Sequence, residues 1–231
     1  MEENNWGWLA PFEKFGRLGD SKDNFQPIEY SEAKSKHPSF THASHGMIFA
    51  RDDRVLWDLY KARGAVLMQM RFDGVIGFPG GLVEKGEHPV CGLNREMQEE
   101  ISLDLTSHRF TDHDHVVSFL NEDKSLVLHF YKKEVSMEEF KALEIKNLQA
   151  PEYGIETFGI IRPPLFTMGD GIRGLPAFLA NHFAGNAREE LVMALSLSNL
   201  LSQEELQVAL KASQTFQETS FVNRNQTCKN D

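Results

Sequence analysis

The residues with the clearest capacity for chemistry lie between Gly80 and Leu103. They read Gly80-Gly81-Leu82-Val83-Glu84-Lys85-Gly86-Glu87-His88-Pro89, then Val90-Cys91-Gly92-Leu93-Asn94-Arg95-Glu96-Met97-Gln98-Glu99-Glu100. Paired glycines after Pro79 mark a loop that turns tightly or comes close to another group. Pro89 suits the first turn of a helix, where its missing N–H costs nothing. A helix from there to about Ile101 sets Val90, Leu93, Met97 and Ile101 in one apolar stripe. Glu96, Glu99 and Glu100 then share the neighbouring face at i,i+3 and i,i+4 spacing.

Carboxylates so placed repel one another by about 0.2–0.5 kcal/mol per pair even on an exposed helix. For three glutamates alone, a solvated acidic face is the ordinary explanation. Divalent magnesium or manganese would remove the repulsion, because hard cations take carboxylate and carbonyl oxygen together with water and substrate phosphate. Arg95 stands one position off the acidic face, able to reach Glu99 or to fold back toward Glu87 and fix loop against helix. Gly81, Glu87, Arg95, Glu96, Glu99 and Glu100 stand at fixed offsets. With each type at about 5% frequency, chance gives that set on the order of 10⁻⁸ per register. The whole pattern therefore reads as a site.

These offsets resemble the Nudix box, Gly-x5-Glu-x7-Arg-Glu-apolar-x-Glu-Glu-x-Gly-apolar, with Met97 and Leu103 at its apolar places. Ser102 stands where the box has its second glycine. That glycine ends the helix in a left-handed conformation, which a serine adopts at a cost of about 1 kcal/mol. Residues 67–74, 93–96, 129–131, 171–176 and 187–189 are similar to the small-nucleolar-RNA-decapping, inosine-diphosphatase branch of Nudix enzymes, and the likeness covers roughly residues 40–215. The resemblance implies an α/β (α+β) fold, the Nudix αβα sandwich with a mixed central sheet. It also implies magnesium- or manganese-dependent hydrolysis of a nucleoside diphosphate linked to another group. Candidates are inosine or deoxyinosine diphosphate, a capped RNA end, or an ADP-ribose conjugate.

Matched by position, Glu96 and Glu100 resemble the principal metal ligands, joined by the Gly80 carbonyl. Glu99 completes the metal shell or orients the attacking water, and Glu156 resembles a further acidic position, base or auxiliary ligand. Gly81, Glu87 and Arg95 hold the box together. His45, Arg71 and Phe78 match positions lining the nucleotide pocket, Arg71 as a fork for phosphate and Phe78 as a face for a purine. Glu190 stands where that branch tends to carry a glutamine facing the base, and His115 matches a secondary metal or substrate contact. The rival is a catalytically weak RNA- or protein-binding regulator on the same fold, since fold alone does not decide activity. The presence of all three helix glutamates favours the enzyme.

The elements that must position these groups are also legible. Met47-Ile48-Phe49-Ala50 and residues 65–72 read as strands, the second forming a hairpin through Asp73-Gly74 with residues 75–78. Further strands are expected at 125–135 and 154–161, the latter stopped by Pro163-Pro164. The last third reads as helical: a short apolar segment at 175–183, a helix capped by Asn186, and another opened by a Ser202/Glu205 capping box. Residues 1–39 read as an extension carrying Trp6, Trp8, Phe12 and Phe15, either loosely ordered or a docking arm, with a short helix near Ser31-Glu32-Ala33. Residues 40–216 form the expected catalytic domain and 217–231 a polar, disordered tail.

Of the 231 residues, 24 are Lys or Arg and 34 are Asp or Glu, a formal net charge of -10 that argues against sequence-blind binding to a phosphate backbone. Cys91 and Cys228 form no CxxC site or disulfide framework, which suits a reducing compartment. The first residues carry no basic region or long apolar run, so neither a secretory leader nor a membrane span is expected. The expected setting is the nucleus or cytoplasm, the expected partner a nucleotide or capped RNA end, with a homodimer allowed.

Overall fold

The computed structural model describes residues 24–227, with side chains through Gln217; Trp6, Trp8, Phe12, Phe15 and Cys228 lie outside the described residues. The main sheet is built on β2, Thr41–Leu56, whose long run alternates between two buried faces. One edge of β2 pairs in parallel with β8, Leu126–Glu134. The other edge is shared by β6, Gly80–Leu82, and β3, Tyr60–Val66, both antiparallel. Beyond β8 lie β7, His115–Asn121, and then β1, Gln26–Ile28, also antiparallel. One parallel pair among antiparallel ones makes the sheet mixed, as expected.

A second, three-stranded sheet holds β5, Ile76–Gly77, β4, Met68–Arg71, and β9, Thr157–Ile161. The single strand expected at 65–72 is therefore two, one in each sheet. The break falls at Leu67, whose N–H still bonds Ile48 of β2 before the chain crosses over. The hairpin through Asp73-Gly74 forms as expected, pairing Gln69 with Gly77 and Met70 with Ile76. The β2–β3 hairpin carries no glycine at its tip: Trp57 and Asp58 both take left-handed φ, 50° and 55°, in a turn closed by the Leu59 N–H on the Leu56 carbonyl.

Helices cover both faces. On one side lie α2, Pro89–Ile101, and α3, Met137–Lys146, packing Leu93, Met97, Ile101, Phe140 and Leu143 against Ile48, Ala50, Ala65 and Tyr131. On the other lie α4, Leu175–Leu179, α5, Ala187–Leu197, and α6, Gln203–Thr227, packing Leu179, Leu191, Leu195 and Leu206 against Met47, Phe49, Val66 and Phe130. This is the αβα sandwich. Gly46 lets α2 sit directly on β2, because a side chain there would strike Met97 and Phe110. Among the described residues, no helix is long and apolar enough to cross a membrane.

The expected short N-terminal helix is α1, Tyr30–Lys36, and β1 ties the same stretch to the sheet edge. Backbone helix also continues past Phe216, to Thr227. The Ser202/Glu205 box closes as read, Ser202 Oγ accepting from the Glu205 N–H at 3.2 Å. Helix α3 escaped the sequence reading, although Ser136 and Glu139 form the same reciprocal cap.

Helix α2 ends where the resemblance implied. Ser102 is left-handed, φ 53° and ψ 39°, its N–H bonding the Gln98 carbonyl while that of Leu103 bonds Met97. A serine pays conformational energy there that glycine does not. Ser102→Gly is expected to raise stability by up to about 1 kcal/mol, a rise of about 2–4 °C in Tm for a domain of this size, read by calorimetry.

Under α1, a chain of hydrogen bonds runs through four side chains. His42 Nε2 must donate to the His37 carbonyl (3.0 Å), so its Nδ1 accepts from His129 Nε2 (2.8 Å). His129 Nδ1 then accepts from Ser118 Oγ (2.8 Å), which accepts from His115 Nε2 (3.0 Å). This ordering needs His129 neutral, since its Nδ1 accepts while its Nε2 donates. Burial, with His42 and His115 adding to it, pushes His129 down to about 3. The folded state therefore binds fewer protons than the unfolded one between about pH 6.5 and 3, and stability falls as pH falls through that window. Thermal melts from pH 7.5 to 5 are expected to show a smaller loss of Tm for His129→Gln than for the wild type.

Candidate active site

The site forms where the β6 loop, helix α2 and the turn before β9 meet. Gly80 occupies a left-handed backbone position against β2, where a side chain would collide with the Ser44 carbonyl. Its N–H donates to Glu100 Oε2 at 2.8 Å, which locks loop to helix. At Gly81 an added Cβ would lie 2.7 Å from the Glu96 carboxyl carbon. The second glycine thus opens the space that Glu96 fills.

Arg95 does both things its position allowed. It bonds Glu96 Oε1 (2.7 Å), Glu99 Oε2 (3.1 Å) and the Leu82 carbonyl (2.9 Å), and approaches Glu87 Oε2 at 3.4 Å. Glu87 in turn accepts from the Glu84 N–H at 2.9 Å and packs against Gly92, where a Cβ would stand 2.9 Å from its Oε2. Glu87 and Arg95 therefore brace the loop, and the acidic face of α2 points past them into a cleft.

That cleft has a volume of about 490 Å³ and is lined by His45, Arg71, Gly80, Gly81, Arg95, Glu96, Glu99, Glu152 and Glu156. Glu96, Glu100 and Glu152 bring one carboxylate oxygen each within 4.8 Å of one another. Glu152 was not among the expected residues. It lies in the turn Ala150-Pro151-Glu152, held against α2 by its N–H bonding the Glu99 carbonyl at 3.1 Å. The only sequence signal was a second acid four residues before Glu156. Glu99 sits at the edge of this trio, engaged by Arg95, and Glu156 is exposed in the same cleft.

The electrostatics are those of a site built for a cation. Glu100 is 5% exposed, and burial pushes its carboxyl up to about 8 despite the Gly80 N–H, with Glu96 and Glu152 adding to the rise. Glu96 is raised by burial too, less the pull of Arg95, and Glu152 by burial and then by Glu156 and Glu96. Three hard oxygen donors that disfavour each other's charge suit a hard divalent cation such as magnesium or manganese.

A second cavity, about 250 Å³, shares the walls Ala43, His45, Arg71 and Leu82 with the first. Phe78, Asn186, Ala187 and Glu190 line its far end. Phe78 is buried, tilted against Phe130 at 5.1 Å between ring centres. Arg71 pairs with Asp73 at 3.0 Å and faces both cavities. Burial, then the Arg71 cation, push His45 down to about 4. Asn186 precedes α5 as expected but makes no cap bond with its side chain. His115 is not in either cavity's lining; it belongs to the histidine chain under α1, its ring 4.6 Å from that of Tyr30.

The Nudt16-like family model, described as U8 snoRNA-decapping enzyme-like, matches residues 42–201. The U8 snoRNA-decapping enzyme of Homalodisca vitripennis is 45% identical over 177 residues, 77% of this chain and 95% of that protein. The mouse enzyme of the same name is 41% identical over 180 residues, 78% of this chain and 92% of its own. A Tudor-interacting repair regulator protein of Gallus gallus is 36% identical over 210 residues, 90% of this chain and 65% of its own. A match over this span, with the box residues assembled into one cleft, settles the family. The chain belongs to the Nudt16-like family of U8 snoRNA-decapping enzyme-like proteins, within the Nudix hydrolases.

Proposed function

We propose that the protein hydrolyses a phosphoanhydride bond of a purine nucleotide, free as inosine or deoxyinosine diphosphate or present as the cap of an RNA, with magnesium or manganese. One observation carries this reading: the carboxylate cleft and the second cavity share His45 and Arg71 as a common wall. A diphosphate in the first would then place its nucleoside in the second. The names of the decapping relatives support an RNA cap as one form of the substrate, and with it a nuclear or cytoplasmic setting.

In this reading Glu96, Glu100 and Glu152 hold the cation, with the Gly80 carbonyl joining them. Bound there, the ion supplies charge neutralisation at the phosphates and a water of lowered pKa. Arg71 offers its planar guanidinium to the phosphate oxygens and exchanges Asp73 for them. Arg95 fixes the rotamers of Glu96 and Glu99, so that the ligands are oriented before substrate arrives. Glu156, exposed in the cleft, is the carboxylate that takes the proton of the attacking water. Phe78 and Glu190 hold the nucleoside.

Activity on inosine diphosphate and capped RNA is expected to vanish with chelator and return with magnesium or manganese. Glu100→Gln and Glu152→Gln are expected to lower kcat by about 10²-fold or more and to weaken metal binding measured by titration calorimetry. Glu156→Gln is expected to lower kcat by about 10²–10⁴-fold while leaving KM and metal affinity near wild type. The Tudor-interacting relative keeps a second reading open, a regulator that works by binding. Equal turnover by wild type and Glu100→Gln would remove the proposed mechanism, and no turnover by the wild type would favour the binding reading.

A further inference from the structure

Helices α5 and α6 leave an open groove of about 570 Å³ between them, on the side of the sheet opposite α2. Val192, Met193 and Leu197 of α5 and Leu206 and Leu210 of α6 give it an apolar lining. Leu197 is 55% exposed, although Ala194 and Leu195 beside it are fully buried. Arg188 and Glu189 at the start of α5, with Gln203, Gln207 and Gln214 of α6, supply the polar part of the lining. Arg188 Nε is buried without a hydrogen-bond partner. Apolar residues flanked by polar ones, with one buried donor unsatisfied, have the make-up of a contact surface.

The N-terminal arm has the chemistry to fill it. Trp6, Trp8, Phe12 and Phe15 put four aromatics into ten residues, where the whole chain carries 10%, and large aromatic surfaces gain by leaving water. The arm joins the described domain at Phe25, which packs with Met193 in the apolar cluster around Ala43, Phe119 and Leu128. Met193 also lines the groove, so the arm sets out from the groove's own wall. The ten residues from Phe15 to Phe25 span up to about 33–36 Å, whereas the eleven residues of α5 rise only about 16 Å. Every part of the groove is therefore within reach. The adjacent charges of Glu13-Lys14, between Phe12 and Phe15, are opposite in sign and order to those of Arg188-Glu189.

We propose that residues 6–15 occupy the α5–α6 groove of their own chain, with the aromatic side chains on Val192, Met193, Leu197 and Leu210 and Glu13 against Arg188. The tether favours this occupant over a second copy, because a short linker holds the arm near the groove at an effective concentration on the order of millimolar. Phe25 also lines the second cavity, so the docked arm is anchored beside a wall of the active site.

The test uses the full chain carrying Trp57→Phe, which leaves Trp6 and Trp8 as the only tryptophans. Trp57 is 71% exposed, so its replacement disturbs no core. Acrylamide quenching of the two reporters is expected to be about threefold weaker in the folded chain than in urea, because apolar burial excludes the quencher. Leu197→Asp should return quenching to nearly the unfolded value with little change in Tm. Arg188→Glu should weaken the protection, and Glu13→Arg in the same chain should restore it, a rescue that misfolding cannot produce. Equal quenching in the folded and unfolded chains would overturn docking. Protection untouched by both Leu197→Asp and Arg188→Glu would overturn the groove as its place. Protection lost on dilution, with sedimentation showing dimers dissociating in parallel, would give the groove to a second copy and overturn docking within one chain.

Discussion

The constraint on which the site depends is the hydrogen bond from the Gly80 N–H to Glu100. A carboxyl this deeply enclosed has no structural reason to be there, and burial opposes its charge. One backbone donor does not offset that cost. What the bond does is hold the β6 loop and helix α2 at a fixed separation, with Glu96 filling the gap above Gly81. The remaining unfavourable electrostatics are then available to a divalent ion, which gains from every carboxylate the fold has already desolvated. In the proposed reading, local stability is exchanged for affinity toward a cation.

The rest of the architecture transmits this constraint. Helix α2 must rest on β2 without a gap, which Gly46 permits, and must stop at Ser102 so that the chain turns away before leaving the cleft. Strand β2 carries His45 toward the site on one face while its other face takes the buried stripe of α2. Because β6 occupies only residues 43–45 of its edge, the rest of that edge is free for β3. One strand thereby supports the glycine loop, the carboxylate-bearing helix and the wall between the two cavities.

What could be read from the sequence was whatever depends on spacing along one helix. Glu96, Glu99 and Glu100 announce a shared face because 3.6 residues make a turn, and Arg95 can reach only a few partners. Glu152 could not be read in this way. Its place beside Glu96 and Glu100 is made by a turn that docks through a backbone bond to Glu99, and tertiary contacts of that kind leave no period. The β2–β3 turn was hidden for a different reason: Trp57 and Asp58 take left-handed angles usually signalled by glycine or asparagine. The apolar run at 65–72 showed its strands but not the change of sheet at Leu67, since both halves are buried and hydrophobic alike.

His115 shows where matching by position misleads. Its residue type suits a metal or substrate contact, yet on β7 it faces the layer under α1, bonded to Ser118 and with its ring tilted against Tyr30. A histidine whose ring nitrogen completes a buried hydrogen-bonded chain has a partner within the fold. Glu190 is the opposite case. Its type matches no structural need at a core position of α5, no partner satisfies it, and its cavity opens on the wall shared with the carboxylate cleft. The two residues differ in the completeness of their hydrogen bonding. A satisfied buried polar group explains itself by the fold, whereas an unsatisfied one in a cavity calls for a partner from outside it, a water or a bound group.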